Sequence, residues 1–125
     1  MSNYIRFTLL STDPDSGKRQ GILTAAHELR DSDVLTRDEH RQLRMLLGWF
    51  NEKLKVPKVL GTSETRRALS WFKPEAQKPI ARMWELKRAL DYHGYNVEVT
   101  KTKEPGRIIY EDGWQIVAIP PKGRK

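Results

Sequence analysis

Three arginines, Arg37, Arg41 and Arg44, recur at i, i+4 and i+7 in a stretch whose leucines keep the opposite phase. On a helix this spacing sets three guanidinium groups on one face. Guanidinium forks hold phosphate or carboxylate oxygens in pairs, so such a face suits a polyanion. Lys55 falls on the same side. Asp38, Glu39 and Glu52 stand close enough to pair with these arginines and leave an ordinary solvated face instead. A second basic group comprises Arg66, Arg67, Lys73, Lys78, Arg82 and Arg88, with Lys78 and Arg82 one helical turn apart. Trp71, Trp84 and Tyr110 lie near that group in sequence, and an exposed ring there would stack on an unpaired base. Trp71 and Trp114 sit among apolar neighbours and are expected in the core. Trp84 flanks the apolar stripe of its helix and is the candidate stacking residue.

Acid–base chemistry has a thin inventory. The three histidines, His27, His40 and His93, are scattered and lack metal-ligand spacing. His27 with Glu28, and His93 with Asp91, would supply an acid and a base if the fold brought them together. A lysine or arginine would then stabilise a phosphorane-like transition state, as a metal-independent nuclease requires. His27 and His93 are the catalytic candidates on that reading. Glu111-Asp112 at a hairpin tip suggests a cation site, but a turn calls for aspartate and a wet face for glutamate. The loop from Asp13 to Gly21, ahead of a helix, could cradle an anion, although it lacks a Gly-rich phosphate pattern. The RNP aromatic pattern, a GxxG clamp and paired Cys/His ligands are all missing.

Composition narrows the classes. The chain has 125 residues, suiting one domain, and no cysteine, which excludes disulfides, thiolate metal sites and cysteine nucleophiles. The opening lacks a signal-peptide pattern and no apolar run approaches a membrane span. A cytoplasmic protein with no membrane partner is expected. Lys and Arg total 23 against 16 Asp and Glu, giving +7 and a pI near 9.8. That balance suits nucleic acid or an acidic protein. The first reading is therefore a binding protein rather than an enzyme. It would hold nucleic acid through Arg37, Arg41 and Arg44 and the Lys73, Lys78 and Arg82 group, with no metal or cofactor. The alternative is an interaction module or inhibitor seated on an acidic protein surface, and a second alternative is the small nuclease.

The elements that must position these residues are legible from pattern. Ile5, Phe7 and Leu9 alternate with polar residues and predict an opening strand. Asp13-Pro14-Asp15-Ser16-Gly17 predicts a turn. Ile22, Ala26 and Leu29 share a short helical face that Asp31-Ser32-Asp33 ends. Thr36 and Glu39 form a capping box for a second helix with the stripe Leu43, Leu46, Leu47, Phe50 and Leu54, closed by Pro57. Residues 58–65 read as an exposed connection.

The stretch from Arg66 to Ile119 organises the rest. Ala68 to Phe72 predicts a strand. A helix to Tyr92 buries Ile80, Met83, Leu86 and Leu90, begins near Lys78 because of Pro79, and ends at Gly94. Val97 and Val99 open the next strand, and Pro105-Gly106 fits a type II turn. Asp112-Gly113 as a two-residue turn would set Glu111 against Trp114, Ile109 against Ile116 and Ile108 against Val117. The order β-α-α-β-α-β-β-β predicts an α+β domain over residues 1–119. Its sheet is mixed or antiparallel with about five strands, three helices packed on it, and a C-terminal three-stranded meander. The run from Ile116 to Ile119 would be an exposed edge open to a partner strand. Residues 120–125 predict an extended, mobile basic tail.

Several stretches also resemble a group of small bacterial proteins of uncharacterised function. They are Trp71-Phe72-Lys73-Pro74-Glu75-Ala76, Ile80-Ala81-Arg82-Met83-Trp84-Glu85-Leu86, Pro105 to Asp112, and Gln115-Ile116-Val117-Ala118. The turn at Asp13 leading into Gly21-Ile22-Leu23-Thr24-Ala25-Ala26 is similar to that group's opening. The resemblance implies a bacterial or phage source and a single small domain, and it carries no activity, cofactor or site residue.

Overall fold

The computed structural model describes residues 3–12, 19–54 and 68–121. The turn at Asp13–Gly17, Lys18 after it, Lys55, the stop at Pro57, the connection 58–65, Arg66, Arg67 and tail residues 122–125 lie outside the described residues. In chain order the elements are β1 (Tyr4–Thr12), β2 (Arg19–Gly21), α1 (Ile22–Arg30), α2 (Arg37–Lys53), β3 (Leu69–Phe72), α3 (Gln77–Tyr92), β4 (Val97–Thr102), β5 (Arg107–Glu111) and β6 (Gln115–Ile119). This is the expected α+β order with one addition. At three residues, β2 is too short for alternation to reveal.

Local chemistry accounts for the helix ends. Thr36 accepts the Glu39 amide at 3.1 Å, and the Glu39 carboxylate accepts the Thr36 amide at 2.9 Å, so the capping box is closed. Pro79 lies in the first turn of α3, where its missing N–H leaves no bond unmade. At the other end Gly94 takes φ +89°, while Tyr95 N–H reaches the Leu90 carbonyl and Gly94 N–H that of Asp91. That is a Schellman closure, and it needs the left-handed residue that glycine supplies.

All strand pairs are antiparallel. β1 pairs with β4 from Tyr4↔Thr102 to Leu9↔Val97 on one edge. On its other edge it meets β3 at Ile5↔Phe72 and β2 at Thr8↔Gly21. β3 continues to β6, and β6 to β5. The expected meander is thus corrected: β4 joins β1, and only β5 and β6 form a hairpin. Pro105-Gly106 does not turn a hairpin but lies on a crossover. β6 is likewise interior, flanked by β3 and β5, so the edge expected at Ile116–Ile119 does not exist. Long alternating strands announce themselves, but which neighbour each takes is decided by tertiary packing.

The crossover has a geometric consequence. β4 and β5 stand four strand spacings apart, about 19 Å in a flat sheet. The five Cα steps from Thr102 to Arg107 stretch to at most about 18 Å, and Arg107 lies further along the strands beside Ile119. The sheet must coil for the chain to close. Pro105 is buried on this link. Gly106 has φ +111°, and a Cβ there would sit 2.1 Å from the Ile119 carbonyl oxygen.

The hairpin register also differs from expectation. Glu111 pairs with Ile116, Tyr110 with Val117 and Ile108 with Ala118, with a bulge that absorbs Ile109. Asp112 stands before the turn rather than inside it. Its Oδ1 accepts the amides of Trp114 and Gln115, both at 2.9 Å. Aspartate used as a side-chain mimic of the turn shifts the central pair to Gly113-Trp114.

Burial divides by sheet face. Ile5, Phe7, Leu9, Phe72 and Val97 join buried residues of all three helices in the main core. Trp71, Ile116 and Ala118 form a smaller cluster on the other face with Tyr4 and Leu69, all from strands. The helices therefore cover one face. This places α2 and α3 side by side with their outer surfaces to solvent.

Candidate binding surface on α2 and α3

The amphipathic phase of α2 fixes what it displays. Leu43, Leu47 and Phe50 are buried in the core, which turns Arg37, Arg41 and Arg44 outward, and all three are exposed. They surround a shallow hollow of about 410 Å³ together with His40 and Met45. Arg41 lies 3.6 Å from Asp38, with both side chains well exposed, a geometry in which a pair contributes little. Among the described residues no carboxylate lies within ion-pair distance of Arg37 or Arg44. The arginine face predicted from spacing is assembled as expected.

The second basic group is not brought together. Arg66 and Arg67 lie outside the described residues. The Lys73 side chain is only 15% exposed, and its ammonium sits 2.6 Å from the Glu111 carboxylate, which pushes its pKa up. Lys73 N–H also donates to the Trp114 carbonyl at 2.8 Å. This lysine ties the end of β3 to the β5–β6 hairpin. Lys78 is exposed on the first turn of α3. Arg82 pairs with Glu85 at 3.0 Å and lies 5.7 Å from the centre of the Trp49 ring.

A larger groove of about 720 Å³ runs between α2 and α3. Its floor includes Leu29, Leu43, Leu46 and Ala89, and its rims carry Met45, Arg82, Arg88 and Tyr92. Met45 and Tyr92 are 70% and 80% exposed, unusual for apolar bodies of that size. Met45 also borders the arginine hollow, so the two depressions adjoin.

His93 lines this groove at 14% side-chain exposure, with Nε2 3.3 Å from Glu39 Oε2. Glu39 thus spans two tasks, helix cap and histidine partner. Its cap contacts, chiefly the Thr36 amide, together with His93, hold its carboxyl below the usual value. Asp91, weighed together with His93 as a source of an acid or base, is not its ion-pair partner. Asp91 instead accepts Lys87 and the Val97 amide at 3.1 Å. His27 is exposed on α1 and lines neither depression, so the two catalytic candidates do not share a cavity. Among the described residues no three histidine, aspartate or glutamate side chains gather as a metal site, and no helix is long and apolar enough to cross a membrane.

The aromatic residues fall partly as expected. Trp71 is buried. Trp84 is 37% exposed and meets Phe7 edge-on at 5.2 Å, so it leans on the sheet. Trp114 stands in the hairpin turn rather than on a strand and stacks on Trp49, centroids 5.7 Å apart and planes at 16°. That stack docks the hairpin tip onto α2. Spacing alone passed over Glu39 as a histidine partner, and over Met45, Trp49 and Tyr92 as groove residues. The available signal was phase: Met45 lies between the arginine face and the leucine stripe, where a large apolar residue has no core to enter.

No protein-family model matches the chain, and neither does any curated protein or solved structure.

Proposed function

We propose that the protein is a non-enzymatic, cytoplasmic binding protein for nucleic acid, held by the outer face of α2. One observation carries this reading: Arg37, Arg41 and Arg44 project together from a rigid helix, and two of them have no carboxylate partner among the described residues. Three guanidinium groups on one helix face would meet successive phosphates without first breaking strong internal pairs. The overall charge of +7 draws a polyanion towards that face. Lys78 and Arg82 extend the contact along α3, whereas Lys73 serves the hairpin. Trp84 is only 37% exposed and packs against Phe7, so stacking is secondary and sequence preference weak.

The test is binding of labelled short single- and double-stranded oligonucleotides to the wild type and to Arg37→Ala/Arg41→Ala/Arg44→Ala, followed by fluorescence anisotropy. At roughly 50 mM salt the triple variant should bind at least about tenfold more weakly, with an unchanged circular-dichroism spectrum. Equal affinities would remove the α2 face from the account.

A further inference from the structure

The groove between α2 and α3 adjoins the arginine face at Met45, but its floor is aliphatic rather than cationic. We infer that it docks an amphipathic helical segment of a partner protein, apolar along one stripe and acidic on its flanks.

The shape comes first. The lining runs from Glu39 to Trp49 on α2 and from Arg82 to His93 on α3, or about 15 Å at 1.5 Å per residue. That length matches about three turns of an incoming helix. Both walls are helices whose backbone groups are already bonded within themselves, so they offer nothing to an extended strand. An occupant must satisfy its own backbone, as a helix does. The floor is aliphatic, and Met45 at the rim is an adaptable contact for apolar knobs. The floor residues themselves carry neither ring nor charge, and the rings of Trp49, Tyr92 and His93 and the cations of Arg82 and Arg88 stand around them.

Charge then selects among helices. The rim carboxylates are answered within this chain: Glu85 by Arg82 at 3.0 Å, and Glu39 by the Thr36 amide and His93. Arg88 on the α3 side has no carboxylate within ion-pair distance among the described residues, nor does Arg44 just beyond Met45. Arg88 is thus the lining charge left unanswered, on the α3 side, which favours Asp and Glu beside the partner's apolar stripe. A second copy of this chain would bring its own α2 arginines against these arginines, an arrangement that like charge opposes.

The test uses the full-length protein and a phage-displayed library of random peptides about four helical turns long. Selections are run on the wild type and on Met45→Asp/Tyr92→Asp, whose two sites are too exposed to carry folding. Enriched peptides should place apolar residues at i, i+3 or i+4 and i+7 with acidic residues beside them. They should bind the double variant at least about tenfold more weakly while still binding Arg37→Ala/Arg41→Ala/Arg44→Ala. No enrichment overturns the proposal, as do basic or non-helical consensus sequences, or peptides that bind the variant equally. Light scattering that shows a wild-type dimer abolished by the double variant would assign the groove to a second copy. Loss of oligonucleotide binding in that variant, with no peptide selected, would assign it to nucleic acid. Either result overturns the inference.

Discussion

Asp112 concentrates more hydrogen bonding than any turn position needs. Its carboxylate accepts the amides of Trp114 and Gln115, the Tyr110 hydroxyl at 2.8 Å and the Gln115 side-chain amide at 3.3 Å. Burial works against its charge, yet these donors together hold its carboxyl below the usual value, while Tyr110 is pushed above its own by the bond to Asp112. Asp112→Ala leaves several donors without an acceptor and should cost about 2–3 kcal/mol in urea denaturation. Asp112→Asn keeps Oδ1 for the two backbone amides and should recover part of that loss. A carboxylate with a lowered folded pKa contributes stability that is complete above its unfolded value, about 4, and is lost as pH falls through the folded value. Asp91, buried yet held down by Lys87 and the Val97 amide, has the same sign. The melting temperature of the wild type should therefore drop below about pH 4, and the gap to Asp112→Asn should narrow there. A gap that stays constant with pH would show that the charge on Asp112 is not what the hairpin uses.

At the scale of elements, the two left-handed glycines separate local from tertiary demand. Gly94 closes α3 with open space around its Cα, so Gly94→Ala should cost only about 1–2 kcal/mol for the backbone conformation. Gly106 meets the Ile119 carbonyl at a distance no side chain can share. Gly106→Ala should cost well over 3 kcal/mol or prevent folding, as compared by thermal melts of the two variants. The contrast also marks what pattern could reveal. The Gly94 stop, the capping box at Thr36 and the leucine phase of α2 are local, and each was readable from a few neighbouring residues. The role of Gly106 was hidden because it depends on Ile119, a partner reached only after the sheet has coiled. For the same reason local pattern pairs β4 with β5, its neighbour in sequence, whereas it belongs beside β1. The α2 arginines were legible because a helix converts spacing directly into a surface. The groove was not, since it exists only where two helices meet.

For the whole molecule, the coiled sheet and its main core act as a platform on which α2 and α3 pack side by side. The proposed arginine face and the groove beside it adjoin at Met45, so one small domain could hold a nucleic acid and a protein segment at neighbouring positions. Charge remains the property on which the central claim stands or falls. The direct measurement is the slope of log affinity against log salt for a short single-stranded oligonucleotide, on the wild type and on the triple arginine variant. Each phosphate contact on a single strand contributes about −0.7 to that slope. The account predicts a steep wild-type slope that becomes shallower by about 2 when three arginines are removed. A wild type that does not bind at low salt, or a slope the variant leaves unchanged, would contradict it.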